Sequence, residues 1–176
     1  MKLPFAFLIS FLAVFALSGC KKDKTISEGN LITNSTFESN GQPDFQGWTG
    51  MKSFSNDVPA DGGKWSLKLE PVWYPGEGFA ETFITGFSGN YTFQLNCEVK
   101  SIRNGTGAII LRVKGENGTI TDVAKTTFND STWKKVTLTA AVQLQPTDQL
   151  IVHLTAGSTE VATWFLLFDN VKLTIT

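Results

Sequence analysis

The sequence predicts an all-β chain folded as a two-sheet antiparallel sandwich. Three observations carry that expectation. From Asn30 onward, short runs alternate apolar and polar residues, the period of a strand with one buried face. Gly, Asn, Asp and Pro clusters separate the runs. No window shows helical periodicity long enough to trust. About eight strands at such spacing suit two packed sheets.

The elements follow in order. Trp65, Leu67 and Leu69 alternate with Lys64, Ser66, Lys68 and Glu70. Tyr91, Phe93, Leu95, Cys97 and Val99 alternate with Thr92, Gln94, Asn96, Glu98 and Lys100. Ile109, Leu111 and Val113 form a third set, and Val136, Leu138, Ala140 and Val142 a fourth. Leu150, Val152 and Leu154 form a fifth. The run from Trp164 to Ile175 starts apolar on both faces and ends alternating. Turn signals fall between them at Ser88-Gly89-Asn90, Asn104-Gly105, Asn117-Gly118, Asn129-Asp130 and Pro146-Thr147-Asp148. Between Pro71 and Phe79 two aromatics, Trp73 and Tyr74, sit among Pro and Gly, which reads as an aromatic loop.

The front of the chain carries a different signal. Lys2 precedes an apolar run from Leu3 to Leu17, the length of a signal-peptide core and short of a membrane-spanning helix. Leu17-Ser18-Gly19-Cys20 follows and resembles the bacterial lipobox. That resemblance implies a signal peptide over 1–19, lipid on Cys20 and a tether over 20–29, with the sandwich over 30–176. Lys21-Lys22-Asp23-Lys24 gives the tether a charged start suited to anionic headgroups, and resembles surface-export signals of Bacteroidetes lipoproteins. The implied location is the bacterial envelope, as an outer-membrane lipoprotein.

Composition narrows the function. The formal net charge is -1, and removing Lys2 leaves -2, so nothing points to nucleic acid. With Cys20 lipidated, Cys97 is the one cysteine left, which excludes a disulfide framework and a cysteine zinc site. Cys97 lies within an alternating run and reads as a small buried hydrophobe.

Several strings resemble family 4/9-type carbohydrate-binding modules. Asn30-Leu31-Ile32-Thr33-Asn34-Ser35-Thr36-Phe37-Glu38 followed by Gly47-Trp48 matches their opening. Gly63 to Leu67, Gly89 to Phe93, Thr132 to Val136 and Phe168 to Leu173 match later strands in the right order. The resemblance implies a jelly roll of the galactose-binding-like type. It also implies a structural calcium shared by Glu38 and Asp169, since calcium takes carboxylate and carbonyl oxygens.

A saccharide site needs aromatic faces for C–H surfaces and polar groups for hydroxyls. Gln94, Asn96, Glu98, Arg112 and His153 all point away from apolar strand faces. If their strands are neighbours, they form one polar floor; the alternative is a solvated sheet face. Trp73 and Tyr74 read equally as a stacking platform or as packing. Trp48, Trp65, Trp133 and Trp164 occupy core-like positions.

An enzyme is not expected. The sole histidine, His153, has no nucleophile motif near it, and no paired-carboxylate strand motif occurs, leaving Glu77, Glu81 and Glu98 unpaired. The expected function is a non-catalytic lipoprotein that holds a glycan at the envelope for polysaccharide-utilisation proteins. The rival is a scaffold that contacts another envelope protein. A third, weaker reading is a lyase using Arg112, His153 and Tyr74.

Overall fold

The computed structural model describes residues 29–73, 76–159 and 163–176. The expectations for the signal peptide, Cys20, the tether up to residue 28 and Tyr74 therefore lie outside the described residues.

The described chain is all β, and its strands form two antiparallel sheets packed as a sandwich. Five short strands come first among the longer ones: β1 (Glu38–Ser39), β2 (Gln42–Pro43), β3 (Thr49–Gly50), β4 (Ser53–Ser55) and, after β5 (Ser66–Leu69), β6 (Val72–Trp73). The long strands are β7 (Gly78–Ile84), β8 (Gly89–Ile102), β9 (Gly107–Lys114), β10 (Ile120–Phe128), β11 (Lys134–Leu144), β12 (Gln149–Thr159) and β13 (Phe165–Ile175). The first sheet runs β10-β9-β12-β7-β3, with β6 added parallel to the end of β12. The second runs β11-β8-β13-β5-β4, and β1 and β2 form a separate hairpin.

Alternation decides which residues go inside. Phe93, Leu95, Cys97 and Val99 of β8 meet Ile109, Leu111, Leu150, Val152 and Leu154 of the first sheet in one buried core. Each fully buried Leu or Ile contributes about 2 kcal/mol relative to exposure. Cys97 is fully buried, and desolvation pushes its thiol well above the ordinary range, which fits an inert core residue.

Two strands were hidden in the sequence. In β7 the inward residues are Ala80, Thr82 and Ile84, whereas Phe79, Glu81 and Phe83 point outward. The larger apolar side chains thus face away from the core, which disguises the pattern. In β10 a bulge between Asp122 and Ala124 shifts the register and breaks the alternation. The loop expected from Pro71 to Phe79 is also shorter than expected. Val72 and Trp73 pair with Ser158 and Thr159, and β7 begins at Gly78.

Candidate functional site

Strand register lays out the outer face of the first sheet in three rows. One row reads Asp122, Arg112, Ile151, Phe83 across β10, β9, β12 and β7. The next reads Lys125, Ile110, His153, Glu81, Thr49 and reaches β3. The third reads Thr127, Ala108, Thr155, Phe79. Along β12 the outward residues Ile151, His153 and Thr155 are nonetheless buried, His153 with 1% exposure. A residue facing away from the core is buried only when neighbours rise around it. The face is therefore a trough whose floor is β12 and whose walls are side chains of β7, β9 and the segment before β7.

A network of charged groups fills that trough. Arg112 Nε donates to Asp122 Oδ1 at 2.7 Å and Arg112 Nη1 to Glu81 Oε1 at 3.2 Å. His153 Nδ1 lies 2.7 Å from the same Glu81 oxygen, and its Nε2 lies 3.1 Å from Glu77 Oε1. Both ring nitrogens thus lie within hydrogen-bond reach of a carboxylate. The Phe79 ring stacks on the imidazole, centroids 5.6 Å apart. Burial opposes ionisation of Glu77, but hydrogen bonds from Thr155 and His153 and the charges of His153 and Arg112 outweigh it and hold its carboxyl below the usual range. The network joins Asp122, Arg112, Glu81, His153 and Glu77, which come from β10, β9, β12 and the continuous stretch from Glu77 into β7. Asp122 and Glu77 keep side-chain exposures of 46% and 41%, so their free oxygens face solvent. Phe83, 42% exposed, lies on the same face, two residues along β7 from Glu81 and opposite Ile151.

The outer face of the second sheet differs. Gln94, Asn96 and Glu98 point outward from β8, half-buried. Asn96 Nδ2 donates to Gln94 Oε1 at 3.3 Å, and Thr137 Oγ1 donates to Asn96 Oδ1 at 2.8 Å. They line an open cleft of about 380 Å³ with Lys135, Lys172 and Thr174.

The five residues expected to form one floor therefore divide between opposite sides of the sandwich. The physical reason is topology: β8 pairs only with β11 and β13, while β9 and β12 pair in the other sheet. Arg112 and His153 come together; Gln94, Asn96 and Glu98 lie some distance through the core from them. Trp73 is 72% exposed and lines neither face's polar set; it borders a cleft at the sandwich edge. Sequence reasoning missed Glu77, Glu81, Asp122, Phe79 and Phe83 as one group. The signal that could have found them is the Phe79, Glu81, Phe83 alternation opposite Ala80, Thr82 and Ile84. Of the four tryptophans read as core-like, Trp48 is buried, while Trp65, Trp133 and Trp164 are half-buried. Trp133 is pinned by its indole N–H to Asp57 Oδ1 at 2.9 Å.

Glu38 and Asp169 meet at the other end of the second sheet. Asp169 is fully buried, and its Oδ2 has no hydrogen-bond partner. Its Oδ1 accepts the Asn170 N–H at 2.7 Å. Desolvation pushes its carboxyl up to about 7, and the nearby charges of Glu98, Glu38 and Asp61 add to that, against the Asn170 hydrogen bond. Gly62 and Gly63 pass between the two carboxylates: a Cβ on Gly62 would lie 2.6 Å from Asp169 Oδ2, and one on Gly63 would collide with the Glu38 carboxylate. The Lys64 N–H donates to Glu38 Oε2 at 2.7 Å. Phe37 and Asn170, the chain neighbours of these carboxylates, have φ of 54° and 48°, a conformation that costs a non-glycine residue about 1 kcal/mol or more. An orphaned buried oxygen, facing carboxylates, a glycine cradle and local strain fit a missing cation. Among the described residues no three His, Cys, Asp or Glu side chains converge as a ready metal cage, so carbonyl oxygens would have to complete the shell.

No protein-family model matches the sequence, and no curated protein matches it. Solved structures do resemble the fold. A family 16 carbohydrate-binding module is similar with a TM-score of 0.60 at 19% identity, covering 82% of this chain and 99% of its own. A family 61 module in complex with β-1,4-galactotriose is similar with a TM-score of 0.54 at 14% identity, covering 84% and 99%. A family 4 module is similar with a TM-score of 0.55 at 16% identity, covering 82% and 99%. The chain therefore has the sandwich fold of carbohydrate-binding modules, a jelly roll.

Proposed function

We propose that this protein is a non-catalytic glycan-binding lipoprotein whose binding site is the trough on the first sheet. The observation that carries this reading is the Asp122–Arg112–Glu81–His153–Glu77 network with Phe83 exposed on the same face. Five side chains from four segments are held against one another, so a ligand meets donors and acceptors already fixed in place. Sugar hydroxyls both donate and accept. Arg112 supplies the donor, and the outward oxygens of Asp122 and Glu77 accept. Phe83 offers its face to the C–H surface of a ring. Each cation of the network is paired with a carboxylate, which favours a neutral glycan over an anionic one. The likeness to sugar-binding modules, one of them solved with β-1,4-galactotriose, supports the same reading.

Calcium belongs to this proposal as a structural ion. Glu38 and Asp169 would hold it, with backbone carbonyls of the Gly62-Gly63 stretch and the Asn34 to Phe37 segment within the same region. Its charge would neutralise the buried Asp169 carboxylate and fasten the start of the domain to its last strand. The start is already tied there: Asn30 Oδ1 accepts the Leu173 N–H at 2.9 Å, and the Val171 N–H donates to the Ser35 carbonyl at 2.9 Å.

Lipid on Cys20 would place the domain at the envelope, where a weak binder gains from local concentration and from neighbouring polysaccharide-utilisation proteins. Two measurements test the proposal. Titration calorimetry of the full chain in detergent with β-1,4-galactotriose and xylotriose should show binding that Arg112→Ala weakens at least tenfold. Retention by no glycan on an array would leave the scaffold reading in its place. Palmitate labelling should be lost in Cys20→Ser.

A further inference from the structure

Trp73 is the most exposed large hydrophobic side chain among the described residues, at 72%, and Met51 follows at 61%. They are not scattered. Both line a cleft of about 480 Å³ at the sandwich edge, between β6 and the β4–β5 pair of the second sheet. Lys52, Ser53, Lys68, Glu70 and Val72 are among the other residues that line it. An indole left in water loses the burial that a core position would give it, so its exposure beside a cavity is a cost that a ligand can recover.

The polar part of the cleft is fixed in place. Lys68 Nζ pairs with Glu70 Oε1 at 2.6 Å and lies 4.3 Å from the centre of the Phe165 ring. Held from two sides, the Lys68 side chain stays partly exposed at the cleft, and the Glu70 carboxylate, 60% exposed, keeps lone pairs free. A donor and an acceptor side by side suit two neighbouring hydroxyls. A flat indole nearby suits the C–H face of the same ring. The pair carries no net charge, and the cleft's other cation, Lys52, is held by the Gly50 carbonyl at 3.2 Å and the Phe45 ring at 5.0 Å.

We propose that this edge cleft is a second saccharide site, taking one or two residues of a glycan on Trp73, with Lys68 and Glu70 binding adjacent hydroxyls. The inference rests on the glycan-binding reading of the trough and adds a separate site to it. The two sites share one connection: Trp73 lines the cleft, and Glu77, four residues on, bonds His153 in the trough. A domain with two adjacent sites holds a long chain more firmly than either site alone, through effective concentration.

Calorimetry with xylotriose and β-1,4-galactotriose, too short to bridge both sites, separates them. The full chain in detergent should bind two equivalents of whichever sugar is taken. Trp73→Ala and Glu70→Ala should each remove one equivalent, and Arg112→Ala should remove the other. Both edge residues are exposed, so folding is preserved, which an unchanged melting curve will verify. One equivalent that Trp73→Ala leaves untouched would overturn the second site while the trough stands. Loss of all binding in Trp73→Ala alone would show one joint site and overturn it as well. No binding of either sugar by the unaltered protein, together with no retention on the array, would overturn both readings.

Discussion

His153 and Asp169 invite comparison. Both are buried and titratable, and both point away from the core, one on each sheet. Yet every polar atom of the His153 ring has a partner, whereas Asp169 Oδ2 has none. Burying a polar group without a partner costs about 1–3 kcal/mol, more when it is charged. The first sheet has therefore solved its buried charge internally, with carboxylates and a guanidinium. The second leaves its charge to be answered from outside the chain. The first pattern suits a pre-organised floor and the second an ion site, which is why ligand and metal are proposed on opposite faces.

The sharpest way to break that assignment is His153→Ala. It leaves Glu77 without its imidazole partner and deprives the largely buried Glu81 of one of two. The expected loss is about 3 kcal/mol, and with it a melting temperature lower by on the order of 10 °C. Glycan affinity should fall in the same variant, measured by calorimetry below the new melting point. A melt within a degree of the unaltered protein would mean that the network holds nothing together.

The second test addresses Asp169. Calcium at a hundredfold excess over its dissociation constant should add about 2.7 kcal/mol, or roughly 5–10 °C in the melt. Chelator should remove the gain, and Gly63→Ala should abolish the response, because its methyl group would occupy the place of the Glu38 carboxylate. An unchanged melt with calcium and with chelator would remove the metal from the proposal.

The comparison also explains what the sequence could reveal. Inward-facing strands were legible, since β5, β8, β9, β11, β12 and β13 carry large apolar residues at period two. Glu38 and Asp169 were singled out through motif positions at opposite ends of the chain, and in the structure Gly63 abuts the one and Gly62 the other. The trough was legible only in part. Arg112 and His153 stood out as polar residues on apolar strands. Their partners Glu81 and Phe79 sit on β7, whose outward side is the more apolar one, so its faces read in reverse. Which strands share a sheet is set by long-range pairing, and alternation within a run carries no record of it. That is why Gln94, Asn96 and Glu98 were grouped with residues on the far side of the core.

A smaller effect sharpens the picture of the network through pH. Glu77 is held below its usual range in the folded protein, so it contributes stability above its unfolded pKa near 4.5 that is lost as pH falls through the folded value. Glu77→Gln removes that contribution. The variant should therefore melt lower than the unaltered protein at pH 7, by a few degrees at most given the exposure of the side chain, and the gap should close in acid below pH 4. A gap that persists unchanged in acid would mean that Glu77 acts through packing, not charge.

The smallest expected effect is the most discriminating for the location of the glycan. Asn96→Ala removes the hydrogen bonds to Gln94 and Thr137 on the second sheet. These groups are half-exposed, water replaces the lost partner, and the net cost is about 0.5–1 kcal/mol. Oligosaccharide affinity should not change, because Asn96 faces away from the trough with the core between them. The polar ladder on β8 is chemically able to bind hydroxyls, however, and it lines a cleft of its own. A tenfold loss of affinity in Asn96→Ala, with Arg112→Ala unaffected, would therefore move the glycan to the second sheet. His153 and its partners would then be the device that closes the first sheet, with no ligand of their own.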